Sequence, residues 1–215
     1  MQNEQTLNNQ EQFFLKYRKQ ILIAVAAILL IIAGCLAYKT LVAEPRENKA
    51  STAMAKAQEM FAQQDFQKAL NGDKTNEGFL SVIENYGGTD AANLAKGYAG
   101  LCYAQMGKWQ EAVNYLEKFD QKDDQMISPA TLGALGNAYA HVNQLDKAVS
   151  ALKKAAEKAD NNSLSPTFLI QAGEILESQN KNDEALKLYQ RVKDKYFNSM
   201  QYQTIDAYIE RASAK

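Results

Sequence analysis

The pattern of apolar and polar positions divides the chain in two. From Gln20 to Tyr38 no charged residue occurs, and Ile21–Ala37 is almost wholly Ile, Leu, Ala and Val with no polar face. Beyond residue 49 the apolar positions recur at the three-and-four spacing of amphipathic helices, broken by short polar turns. No segment alternates as a strand would. The pattern predicts an all-α chain, one uniformly apolar helix followed by a series of amphipathic ones.

The apolar run has the dimensions of a membrane span. A hydrocarbon core of roughly 30 Å takes about 20 residues at about 1.5 Å each. With Lys39 reaching outward the span covers residues 21–42, and Phe13, Phe14, Tyr17 and Tyr38 fall at its rims, where aromatic rings favour headgroups. This predicts a tail at 1–20, a transmembrane helix at 21–42 and a charged linker at 43–49 containing Pro45. Three other readings compete. A cleaved secretory signal has a shorter apolar core. A core helix would show a polar face. Ile32-Ala33-Gly34-Cys35 reads as a lipobox with Cys35 as the acylated residue, yet the apolar run continues to Val42, where a lipoprotein would begin a polar tether. Lys16, Arg18 and Lys19 crowd the N-terminal flank, which places the N-terminus inside and the larger C-terminal part outside the cytoplasm.

Beyond the linker the chain repeats itself. Gly100, Tyr103, Gly107, Ala112 and Leu116 recur 36 residues later as Gly136, Tyr139, Asn143, Ala148 and Leu152. A further 37 residues on stand Gly173, Leu176, Asn180, Ala185 and Tyr189. The glycines and alanines predict close crossings of a first and a second helix. Gly107, Asn143 and Asn180 predict left-handed turns between them. Ser128-Pro129 and Ser165-Pro166 are expected to be N-cap serines before first-turn prolines, with Thr89-Asp90 as the earlier equivalent. Ala57, Met60, Gln64 and Ala69 form a fourth, degenerate copy, after which residues 71–78 insert and shift the phase. Expected pairs span 50–88, 93–126, 129–162 and 166–198, and an amphipathic helix within 199–215 closes the open end.

At these residues the chain resembles the tetratricopeptide repeat (TPR) family. The resemblance implies a right-handed superhelical stack of helix pairs, with the first helices lining a concave groove that binds other proteins.

Composition narrows the chemistry. With 24 Lys+Arg against 25 Asp+Glu, no strong field points to nucleic acid or to an acidic substrate. The two cysteines, Cys35 and Cys102, lie in different surroundings and are not expected to pair; Cys102 reads as a buried small hydrophobe. The single histidine, His141, has no ligand cluster beside it and reads as a surface residue. Asp120–Asp124 and residues 71–78 carry carboxylates without the spacing of a calcium loop, and read as solvated turns. No nucleophile, phosphate-loop or zinc motif occurs, so no catalytic residue, metal, cofactor or small-molecule substrate is expected. Trp109, at the head of a second helix, reads as packing.

The groove is the candidate site. TPR domains that grip a C-terminal carboxylate carry Lys, Asn and Arg on their first helices. Here those positions hold Leu94, Gly97, Leu101, Ala104 and Gln105, then Ala130, Gly133, Asn137, Ala140 and His141, then Thr167, Ile170, Glu174, Glu177 and Ser178. The expected partner-binding residues are Leu101, Ala104, Asn137, His141, Glu174 and Glu177, an apolar to weakly acidic surface suited to a basic or amphipathic segment. A short tail, one span and a TPR array together resemble the YfgM-like proteins of bacterial inner membranes. That resemblance implies a periplasmic repeat domain serving as scaffold or chaperone adaptor, beside translocon or membrane-bound chaperone components. The competing expectation is a subunit of an outer-membrane assembly machinery, lipid-anchored at Cys35.

Overall fold

The computed structural model describes the backbone of residues 2–214 and the side chains of residues 13–214. Among the described residues the secondary structure is helical, with one isolated bridge between Gly72 and Glu77. The chain forms two compact units that divide between Lys49 and Ala50.

The first unit contains helix α1 (Gln2–Tyr38) and a π-helical turn at Lys39–Ala43. Its apolar side chains stay exposed, including Ile23, Leu30 and Leu41. Among the described residues, the helical stretch Phe13–Ala62 is long and apolar enough to cross a membrane. Residues 43–49, expected as a linker, are helical instead: α2 (Glu44–Ala62) starts directly after the π turn. Pro45 is the reason the turn widens. It has no N–H, and its ring would collide with the carbonyl four residues back. In the wider turn Glu44 N–H donates to Lys39 O, so the helix absorbs the proline without ending.

The second unit is a stack of helix pairs. In the first pair, α2 packs against two short helices, α3 (Phe66–Asn71) and α4 (Phe79–Asn85). Three regular pairs follow: α5 (Asp90–Gln105) with α6 (Trp109–Leu116), α7 (Ile127–His141) with α8 (Leu145–Ala159), and α9 (Ser165–Ser178) with α10 (Asn182–Lys195). A 3₁₀ turn at Met200–Gln203 leads to α11 (Ile205–Ser213), which lies against α10.

One turn geometry recurs in all four pairs. Gln64, Gly107, Asn143 and Asn180 have φ of 62°, 73°, 59° and 58°. The N–H of the next residue donates to the carbonyl five positions back, on Met60, Tyr103, Tyr139 and Leu176, at 2.8–3.1 Å. This is the Schellman arrangement, which satisfies carbonyls that a helix end leaves free.

The crossings are as tight as the repeating glycines imply. A Cβ on Gly100 would lie 2.5 Å from Leu116 Cγ, one on Gly136 2.6 Å from Leu152 Cγ, and one on Gly173 2.3 Å from Tyr189 Cε1. The facing Ala112, Ala148 and Ala185 are fully buried. Gly133 has a second task. Its missing side chain admits the ring of Phe168 from the next pair, so it serves contact between repeats.

The expected serine caps are displaced. Asp124 Oδ1 accepts the N–H groups of Met126, Ile127 and Ser128 at the start of α7, and Asn161 Oδ1 accepts those of Ser163 and Leu164 before α9. Ser128 and Ser165 lie inside the first turns, buried. Ser128 Oγ donates to Asp124 Oδ2, and Ser165 Oγ donates to Ala156 O. Helix donors end where Pro129 and Pro166 lack an N–H, so the acceptor must sit further upstream. Thr89 does cap α5, accepting from Ala92 N–H at 3.0 Å.

The phase shift after Leu70 is a small hairpin. Asp73 Oδ1 accepts the N–H groups of Thr75 and Asn76 at 2.8 and 2.9 Å. A Cβ on Gly78 would fall 2.2 Å from Gly72 N, so the two arms close on each other.

Candidate functional site

Stacking places the C-terminal halves of α5, α7 and α9 side by side around a cavity of about 580 Å³. Leu101 and Ala104 come from α5, Asn137 and His141 from α7, and Glu174 from α9; all five line it. Leu101, Asn137 and Glu174 converge because each directly follows the crossing glycine of its own pair, so one face is presented three times. Ala134, Ala140 and Ile175 complete an apolar floor, and Gln171 and Ser178 add polar groups.

Glu177 does not join them. It is buried among α9, α10 and α11. Arg211 Nη2 donates to its Oε1 at 2.6 Å, Arg211 Nε to its Oε2 at 3.0 Å, and Tyr189 O–H to its Oε1 at 2.7 Å. The expected groove acid is a structural anion, neutralised by a guanidinium 34 residues further along the chain. Burial, then the Glu177 carboxylate, pushes the Tyr189 phenol well above its ordinary range. Tyr139 makes the corresponding bond to Glu117, and burial with that carboxylate pushes it up to about 12.

Trp109 packs against the apolar core of its neighbours, as expected, and also reaches the groove. It lines the cavity and lies flat on His141, ring centroids 3.6 Å apart and planes 2° from parallel.

A second cavity of about 440 Å³ adjoins the first and shares Leu101 with it. Leu94, Tyr98, Met126, Ile127 and Ala130 give it an apolar lining. Met126 and Ile127 are 56% and 51% exposed, although both are large and apolar. Together the cavities form one groove with an apolar half and a polar half.

Among the described residues no group of three or more His, Cys, Asp or Glu side chains is placed to hold a metal ion. Cys102 is buried at 0% exposure, and burial pushes its thiol up to about 12, so it packs without ionising.

Comparison with solved structures gives the same fold. A single-substitution form of a Podosopora anserina kinesin light chain protein with nearly identical TPR-like repeats superposes with a TM-score of 0.60 at 14% identity, over 78% of this chain and 86% of that one. A second crystal structure of that protein gives the same score and identity, over 78% and 87%. The MamA protein gives 0.54 at 15% identity, over 77% and 90%. At such identities the likeness is one of fold, and the stack is TPR-like. No curated protein matches the chain. The family described as the T7SS, ESX-1 secretion system protein EccA1, N-terminal domain, matches residues 32–207. That match takes in most of the α-helical stack and its groove, and the chain belongs to the EccA1 N-terminal domain family.

Proposed function

We propose that the chain is a membrane-anchored scaffold or chaperone-adaptor subunit, holding a segment of a partner protein in its groove within a secretion or envelope complex. The observation that carries this reading is the groove itself. Asn137 and Glu174 make no hydrogen bond or ion pair with described residues, yet they stand beside an apolar floor at Leu101, Ala104 and Ile175. Exposed apolar surface with convergent polar groups is what a partner segment requires.

Membership in a secretion-system family supports the setting. Anchoring is supported by the exposed apolar side chains of α1. Lys16, Arg18 and Lys19 support a single-pass topology at the bacterial inner membrane with the stack in the periplasm. On this reading the partners are translocon components or membrane-bound chaperones, as for YfgM-like proteins.

Site-specific photo-crosslinking in native membranes tests it. A crosslinking residue at Leu101 or Ala104 is expected to capture membrane-embedded secretion subunits or their chaperones. The same residue at Lys187, exposed on a second helix, is expected to capture none of them. Equal products from the two faces would reject the groove as the binding surface.

A further inference from the structure

Resting on the reading of the groove as a binding surface, we infer that its occupant is a polypeptide segment of split character, an apolar run followed by one lysine or arginine. Charge complementarity points to the cation. Glu174 is the one lining side chain of fixed charge in the polar half, and it is exposed. Several acids of the last helices carry a cationic partner: Asp146 has Lys181, Glu157 has Arg191, Asp160 has Lys195, Asp206 has Lys193 and Glu177 has Arg211. Glu174 forms no such pair with any described residue. Gln171 Oε1 beside it is enclosed without a hydrogen-bond partner. A buried acceptor in that condition costs stability, and a turn of the amide toward an incoming N–H donor removes the cost. The indole of Trp109 adds an aromatic ring of the type that attracts cations.

The apolar half sets the other requirement. Leu94, Tyr98, Leu101, Met126 and Ile127 form a trough that nothing in the stack fills. Leu94 and Leu101 are two helical turns apart, so the trough runs about 10 Å along α5 at about 1.5 Å per residue, and Leu101 is shared with the cavity that Glu174 lines. An acidic tail is refused by Glu174, and a uniformly apolar segment leaves the polar half unsatisfied.

The chain's one tryptophan is Trp109, so its emission reports the groove without a label. Full-length protein in detergent micelles is titrated with tryptophan-free peptides made of a Leu/Ile/Phe run followed by arginine. A series of spacings between the run and the arginine is used, each also made with glutamate in place of arginine. The arginine peptide is expected to shift Trp109 emission at about tenfold lower concentration than the glutamate peptide, with the gap closing as salt rises. Glu174→Gln is expected to abolish most of that gap while circular dichroism and the melting temperature stay unchanged. Equal response to the two peptides overturns the inference, as does a preference that survives in Glu174→Gln. So does concentration-dependent change in Trp109 emission without peptide, which would make a second copy the occupant. If no peptide binds while crosslinks from Leu101 persist, the split-segment inference fails and the scaffold reading stands. If both vanish, the scaffold reading fails with it.

Discussion

Arg211, in the last helix, closes a two-point ion pair on Glu177 of α9 and so ties the end of the stack to its final pair. Arg211 keeps 46% of its side chain exposed while Glu177 keeps 6%, and the two ends of the pair are not equivalent. Replacing Arg211 with alanine leaves a buried carboxylate without its guanidinium, with Tyr189 still facing it. The expected loss is about 1–3 kcal/mol, because an unmatched charged group in the interior is costly. The double variant Arg211→Ala/Glu177→Gln should recover part of that loss. Chemical denaturation of the two variants checks it; no recovery would mean that Arg211 acts through packing on Tyr208, over whose ring it lies at 4.9 Å, and not through charge.

A methyl group at a crossing should be costly. Gly136→Ala puts a Cβ 2.6 Å from Leu152 Cγ and 3.2 Å from the backbone oxygen of Ala148, which has little freedom to retreat. Overpacking of this kind costs about 1–3 kcal/mol. The measurement is thermal unfolding; a melting temperature at the wild-type value would show that α7 and α8 can separate freely.

The turn at Gly107 separates conformational demand from space. Its φ is 73°, and a Cβ there would meet nothing within 4 Å. Gly107→Asn should be nearly neutral, since Asn143 and Asn180 already hold this conformation. Gly107→Val should cost about 1–2 kcal/mol, the penalty of left-handed backbone for an L-residue. Equal stability of the two variants would remove the backbone explanation.

The hairpin after α3 should be acid-sensitive. The backbone N–H and then the hydroxyl of Thr75, followed by Asn76 N–H, hold the Asp73 carboxyl at about 2, below its ordinary 3.8. A carboxyl lowered in the folded state stabilises it above the unfolded value, and that contribution disappears as pH falls through the folded one. The loop should therefore loosen between about pH 4 and pH 2. An NMR titration of Asp73 with a midpoint near its ordinary value would contradict the hydrogen-bonded arrangement.

Much of the stack was legible because its demands are local and repeated. Gly100, Gly136 and Gly173 had to lack side chains, and a left-handed residue had to follow each first helix, so spacing alone exposed the pairs. Glu177 was misread because its partner lies in α11, outside the repeat, where periodicity carries no information about contacts. Trp109 was read as packing, which it does, but a side chain can pack and line a cavity at once, and the second role left no mark in the spacing. Pro45 looked like a boundary because proline usually ends a helix, and only the wider π turn shows how this one is carried through. The serine caps failed for a related reason: proline removed the donors that a serine at that position would have served.

The hairpin at residues 71–78 has a consequence for engineering and for descent alike. Its arms meet at Gly72 and Glu77, so the chain leaves the stack and re-enters it at nearly one place. Whatever is spliced between those arms is topologically a side branch, invisible to the spacing of the pairs above it. Loop closure grows only slowly with length. An epitope, a fluorophore tag or an entire small module grafted between Lys74 and Thr75 has a natural point of attachment there, and lineages carrying longer or shorter branches could diverge without renumbering a single crossing.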